Sequence, residues 1–414
     1  MLLDELILHP YRSRYYLERY VNDGSPSGFS TINTTKPKTS PFELNSWFNL
    51  YICFAPKMMF REYGNIPEMN INEINSDENW IFVHPDMFDN IFFLNKSFKI
   101  KLIDQYKVVP TASGRTVQLV NTINEDYIKL HYSGILGRIS RELPFFKAIA
   151  GPEISNILKK AVDEKLLNKS FSFLPELGAR VLINPDNMEE WGMVWRENKP
   201  YGLNEEFSHF MLPSFSLFSM DRLNIHHFPI LKQIIDKFNY EPEQYALEKI
   251  IYPLIECYFS VVINLGLQPE LNSQNLLLGF NKDFSKCSFV IRDLESVDKD
   301  LTLMRLKDIK FNFLSYPYKC IESTQFNYSI KHSFMYDFKL GESILEPIIN
   351  LINQYYNIDK LRLQLKIKEY SKQFIKQLPK DFYPRNKWYV FDKVLVDQTK
   401  IDRPYIECST PKFR

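Results

Sequence analysis

Glycine is scarce in this chain, 13 residues in 414, and none of it is arranged as GxxxxGK[ST] or GxGxxG. That argues against a P-loop or a Rossmann-type nucleotide site. Cysteine is limited to Cys53, Cys257, Cys287, Cys320 and Cys408, odd in number, scattered, and without a CxxC pair. A disulfide framework or a zinc site is not expected, and a reducing, cytoplasmic setting fits. Neither sign of charge dominates: 51 Lys and Arg against 50 Asp and Glu leave +1, so no basic field invites nucleic acid. The opening MLLDELILHPYRSRYY carries Asp4 and Glu5 and lacks the apolar stretch of a secretory signal. The one long apolar run, near Ile250–Leu267, is broken by Pro253 and Glu256. It reads as a buried helix rather than a membrane span. GxSxG, HExxH and a catalytic-cysteine context are all missing. The seven histidines gain no catalytic role from composition alone.

What is present is a large apolar complement: 45% of residues are hydrophobic and 15% aromatic, enough for a substantial core divided over two or three subdomains. Residues 1–22 read as helical, and the Ser/Thr/Pro/Lys stretch that follows, through residue 41, as a loop. FELNSWFNLYICFAPKMMF suggests one or two strands, and IFVHPDMFDNIFFL passes from a buried strand into a helix. Val117–Val120 and Tyr127–Tyr132 pair as strands, with Lys129 and His131 on one face and Ile128 and Leu130 on the other. Ser133-Gly134 opens a helical pattern through ISRELPFF, which sets Arg138 and Arg141 on one face. A further helix starts at Gly151-Pro152. Residues 196–223 read as a crossover into a second half with helices at 226–238, 243–267 and 343–378. Strands and helices segregate rather than alternate, which predicts an α+β fold.

Two polar islands carry chemistry. TASGRT offers hydroxyls at Thr111, Ser113 and Thr116, amides around Gly114, and the Arg115 guanidinium; Lys129, Arg138 and Arg141 follow. Such a set can hold phosphate oxygens, although for the island on its own a polar turn followed by solvated helix charges is the better reading. The second island, PELNSQNLLLGFNKDFSKCSFVIRDLESV, reads as a β-hairpin with apolar runs Leu276–Phe280 and Ser288–Ile291. A hairpin centred near Phe284 puts Asn275 opposite Asp293 and Leu276 opposite Arg292. Glu270, Asn272, Gln274 and Asn275 then meet Arg292, Asp293 and Glu295 at its open end, as either a solvated strand end or a site for a hydrated divalent cation with its phosphates. An ATP–Mg²⁺ site needs the cations of one island and the acceptors of the other.

The order of the islands resembles the NRPS-independent siderophore synthetases of the aerobactin-synthetase type. In that family HP, a second HP, SxRT, a KL strand, an arginine, ExHxQN and RD follow one another. Here they correspond to His9-Pro10, His84-Pro85, Ser113-Gly114-Arg115-Thr116, Lys129-Leu130, Arg141, Glu270 through Asn275, and Arg292-Asp293. The resemblance implies a cupped-hand fold, with a fingers-like part at 1–197 and a palm-like part at 198–414. It implies ATP and Mg²⁺ as cofactors and activation of a small carboxylate such as citrate as an acyl-adenylate, then condensation with an amine or alcohol. Ser113, Arg115, Thr116, Lys129, Gln274, Asn275 and Asp293 would contact the nucleotide. Glu270, Asn275 and Asp293 would face the metal, and Arg141, His9 and Asn272 would serve catalysis. Asn272 stands where the family has His and cannot become cationic, and the family's thumb is expected to be absent. A relative that binds nucleotide or carboxylate without ligating, in a regulatory or partner-binding role, is the alternative. A homodimer is among the assemblies the resemblance admits, and neither nucleic acid nor membrane is an expected partner.

Overall fold

The computed structural model describes residues 1–22, 39–41, 47–69, 71, 74–94, 98–120, 122, 124–136, 139–207, 209–310, 312–391 and 405–414. Most of the expected loop at 23–41, and Arg138, lie outside the described residues. The fold is α+β, as the segregation of patterns predicts.

Eight strands form one antiparallel sheet. Its order is Phe60–Gly64, Glu176–Ile183, Glu190–Arg196, Tyr127–Leu130, Thr116–Val120, Lys99–Pro110, Phe48–Pro56 and Glu78–Val83. Period-two alternation buries one face: Ile52, Phe82, Val117, Ile128, Leu130 and Trp195 share a core beneath it. Lys129, between Ile128 and Leu130, therefore points the other way. In Glu78–Val83 and the turn after it, the chain passes into the helix Phe88–Leu94 as expected.

A second core gathers the C-terminal helices around a four-stranded sheet, Phe210–Pro213, Leu276–Phe280, Cys287–Ile291 and Phe171–Phe173. Leu3, Leu6 and Leu17 of the two N-terminal helices join it, as do Ile154 and Leu158 of the helix Ala150–Asp163. Packing therefore crosses sequence position 197, with elements from before it built into the C-terminal core. The apolar run at 250–267 is the inner helix of this core, Tyr252–Leu265, ended by Gly266 in the left-handed region. Among the described residues no helix is long and apolar enough to cross a membrane.

Two sequence expectations are corrected. The segment after Ser133 is not helical at first: Tyr132–Leu136 and Ile139–Arg141 form a two-stranded antiparallel hairpin, and helix begins only at Phe145 after Pro144. The proline and the β-branched Ile135 and Ile139 outweigh the helical spacing of the arginines. The hairpin at 269–297 forms, but its register is shifted by one. Leu276 pairs with Ile291, and the Arg292 amide donates to the Asn275 carbonyl at 2.9 Å. The connecting loop runs from Asn281 to Lys286, and its Phe284 turns inward at φ +60° and stacks on Phe210 at 4.8 Å.

Candidate active site

The large sheet and the hairpin meet where Leu277 and Val290 pack on Tyr127 and Leu174. Beside that contact, both polar islands open onto one narrow cleft of about 30 Å³. Of the residues singled out in the sequence, Ser113, Arg115, Thr116, Lys129, Arg141, Gln274, Asn275 and Asp293 all line it. Thr111, Arg196 and Arg292 complete its walls.

The TASGRT turn is shaped by its own hydroxyls. The Gly114 amide donates to the Thr111 carbonyl at 3.0 Å, with Gly114 at φ +75°, where a side chain would be strained. Ser113 Oγ accepts the Thr116 amide at 2.9 Å, and Thr111 Oγ1 donates to the Thr116 carbonyl at 2.8 Å. Arg115 is thereby aimed into the cleft. One of its nitrogens donates to the Arg141 carbonyl at 2.7 Å and another contacts Glu295 at 3.3 Å.

The hairpin's open end supplies the acceptors. Asn272 lies outside the cleft, and its side-chain oxygen accepts the amides of Gln274 at 3.0 Å and Asn275 at 2.9 Å. It sets the turn that brings those two residues to the cleft. Arg292 Nε donates to the Gln274 carbonyl at 2.8 Å, and its guanidinium pairs with Glu18 at 2.7 Å. Asp293 then adopts φ +67°, a conformation uncommon outside glycine that Asp tolerates better than most. The kink turns Asp293 and Glu295 back toward the sheet.

Five cations and four carboxylates meet there, Glu18 and Glu176 holding Arg292 and Arg196 from behind. Lys129 Nζ bridges Asp293 and Glu295, the latter at 2.6 Å. Arg196 spans Glu176 at 2.6 Å and Asp293 at 3.2 Å. Tyr318 donates to the other Glu295 oxygen at 2.7 Å. Burial pushes the Asp293 carboxyl up, but the charges of Lys129, Arg196 and Arg115 outweigh it and hold Asp293 well below the usual carboxylate range. Glu295 follows the same balance against Lys129 and Arg115 and falls to about 2. Arg141 is half-buried, and its Nε is buried with no hydrogen-bond partner. Burial, then the neighbouring Arg115, lowers its pKa from the arginine value. An unpartnered buried guanidinium donor beside four further cations is costly unless an anion reaches it.

Three singled-out residues do not line this cleft. His9 is exposed at the joint between the two N-terminal helices, with its amide donating to the Glu5 carbonyl at 2.9 Å. Asn272 sits in the turn, and Glu270 pairs with Lys339 at 2.6 Å on a neighbouring cavity. Burial raises the Glu270 carboxyl, but Lys339 and Lys319 bring it below its ordinary value. Sequence reasoning did not assign Arg196, its buried partner Glu176, or Tyr318. A charged residue closing the apolar strand EWGMVWR was the available signal for Arg196, since a charge there needs a partner.

Residues 68–218 match the IucA / IucC family. The resemblance to the siderophore synthetases stands. No curated protein sequence matches the chain. Among solved structures, the petrobactin biosynthesis protein AsbB from Bacillus anthracis str. Sterne is 14% identical with a TM-score of 0.71, over 96% of this chain and 74% of that one. The ATP-bound aerobactin synthetase IucA from a hypervirulent pathotype of Klebsiella pneumoniae is 13% identical with a TM-score of 0.72, over 98% and 79%. IucC from the same source gives 14% and 0.65, over 87% and 68%. At such identities the likeness is one of fold.

Proposed function

We propose that the cleft binds the triphosphate of ATP and that the chain is an ATP-dependent carboxylate–amine (or alcohol) ligase of the siderophore-synthetase type. One observation carries the reading. Five cations (Arg115, Lys129, Arg141, Arg196 and Arg292) converge with the hydroxyl-lined Thr111–Thr116 turn on one cleft, in a chain whose net charge is +1. A solved relative of the same fold holds ATP, which supports it. The fingers-like 1–197 and palm-like 198–414 parts serve here as a working division, with the nucleotide between the sheet of one and the hairpin of the other.

Ser113, Arg115, Thr116 and Lys129 would hold phosphate oxygens, Arg115 through a two-pronged guanidinium. Arg141, with its unpartnered Nε, would take a phosphate or the substrate carboxylate. Phosphate entering the cleft competes with Asp293 and Glu295 for Lys129 and Arg115. Among the described residues no three His, Cys, Asp or Glu side chains are grouped to hold a metal. Asp293 and the Asn275 and Gln274 amide oxygens fit Mg²⁺ only as partial donors, with phosphate oxygens and water completing its shell, and there the ion would offset phosphate charge. The nearby Glu270 is tied to Lys339.

In the proposed reaction a substrate carboxylate oxygen attacks the α-phosphorus, and the bond to the bridging oxygen breaks, releasing pyrophosphate. The amine nitrogen then attacks the acyl carbon, the carbon–oxygen bond to AMP breaks, and the amine proton leaves to solvent. The cations act by stabilising charge that builds on the leaving pyrophosphate. His9, exposed and away from the cleft, receives no role.

Incubation with ATP, Mg²⁺ and citrate or another small acid should support pyrophosphate exchange, and continuous release of AMP should require a nucleophile from a panel of amines as well. Asn272, spent on its turn, keeps the alternative in view. ATP binding without AMP from any acid–amine pair, unchanged by Asn272→His, would identify a non-ligating relative instead.

A further inference from the structure

A second cavity of about 780 Å³ adjoins the cleft. Glu270 lines it, and Tyr318, which holds Glu295 on the cleft side, forms part of the shared wall. Its volume falls in the range of sites that enclose a drug-sized organic ligand, and the phosphate cleft has no such room.

Its chemistry is uneven in an informative way. Two aromatic pairs line it: Phe146 with Tyr318, edge-on at 5.4 Å, and Phe334 with Tyr405, edge-on at 5.5 Å. Tyr316 adds a ring that is 62% exposed. Three ammonium groups and two carboxylates share the lining. Lys339 pairs with Glu270 at 2.6 Å, and Lys319 lies 3.4 Å from Asp298. Lys331 has no carboxylate partner among the described residues and reaches only the Gln325 amide oxygen, at 3.4 Å. The lining therefore carries one uncompensated positive charge beside ring faces.

We propose that this cavity binds an organic anion with a flat aromatic body, of the aryl carboxylate class, its charge on Lys331 and its ring against the tyrosine and phenylalanine side chains. The competing ligand chemistries fit less well. A protonated amine meets three ammonium groups. A small aliphatic polycarboxylate leaves the ring faces unused and most of the volume empty. A neutral nucleoside leaves the Lys331 charge unanswered. That such a ligand is one of the two molecules joined rests on the ligase reading; that it binds does not.

The test is fluorescence titration of the full chain with 2-naphthoate, followed by displacement and by ATP calorimetry on the same samples. Saturable binding is expected, weakened about fivefold or more by Lys331→Gln and by Tyr316→Ala, as loss of one charge contact or one ring contact predicts. Both variants should retain wild-type ATP affinity, and Arg115→Gln should retain naphthoate affinity. Benzoate should displace the probe, whereas cadaverine and adenosine at equal concentration should not. Displacement by cadaverine or by adenosine overturns the assignment of ligand class. Naphthoate binding unchanged in both cavity variants, or no binding at all, overturns the site. Naphthoate binding with no ATP binding would remove the ligase reading and leave this one standing.

Discussion

Lys129 carries more of the site than any other single side chain. It is buried, and its ammonium is shared by Asp293 and Glu295. Removing one partner from a buried ion cluster strands the others, at a cost of about 3 kcal/mol. Lys129→Met should lower the urea midpoint accordingly even without ligand. The pH dependence has a definite sign. Both carboxyls titrate lower when folded than when unfolded, so their contribution is present above the ordinary carboxylate pKa. It is lost as pH falls, for Glu295 between 4.5 and about 2. In Lys129→Met the folded carboxyl pKa values rise, so that loss should be smaller and should end at higher pH. His131 adds an acid-side term of a different origin. Burial, then Arg115 and Lys147, lowers its pKa to about 3, while the unfolded chain takes up the proton near 6.5. Stability is thus lost as pH drops from 6.5 toward 3. His131→Gln, which keeps an acceptor for the Leu143 amide, should flatten the urea midpoint over that interval. A midpoint with the same slope in both proteins would remove His131 from this role. The polar positions were legible at this scale because hydroxyls, Arg115 and Lys129 fall in short islands within apolar sequence. Arg196 and Glu176 were not, because their pairing joins adjacent antiparallel strands around a register irregularity.

At the level of elements, the hairpin was legible from its two apolar runs, and its register was not. Both faces of Leu276–Phe280 are buried, Leu276 and Leu278 on one side and Leu277 on the other. No polar alternation marks which residue faces which, and pattern alone leaves a one-residue slip open. Phe284 fixes the loop instead, fully buried against Phe210 and Phe280. Phe284→Ala should cost about 3–4 kcal/mol and lower the melting temperature, and calorimetry would check this. The helix Ala150–Asp163 touches the site through a missing side chain. A Cβ at Gly151 would lie 1.5 Å from Glu176 Oε2. Gly151→Ala should push Glu176 off Arg196, release that guanidinium onto Asp293, and weaken ATP binding with little change in helix content. The expected helix at 343–378 is in fact two, Glu346–Tyr356 and Lys360–Ile375, separated by Asn357 in the left-handed region. Asn at that position is a known helix stop, and its single-residue signal was outweighed by the long apolar pattern.

Across the whole molecule, two separate cores, interleaved in sequence, leave a charged seam between them. The N-terminal helices close one side of it, since Glu18 ties Arg292 to the Ala112 amide. This is a long-range arrangement that no local pattern encodes. The class of fold was legible because strands dominate the first half and helices the second. The convergence of the islands rested on motif order, and the chain's near-neutral total conceals it. The most direct measurement is calorimetric titration of ATP, with Mg²⁺, into the full chain and into Arg115→Gln. The ion-lined cleft predicts a single saturable site in the first, weakened about tenfold or more in the second through loss of a two-pronged phosphate contact. Absence of binding, or equal affinity in both proteins, would contradict it.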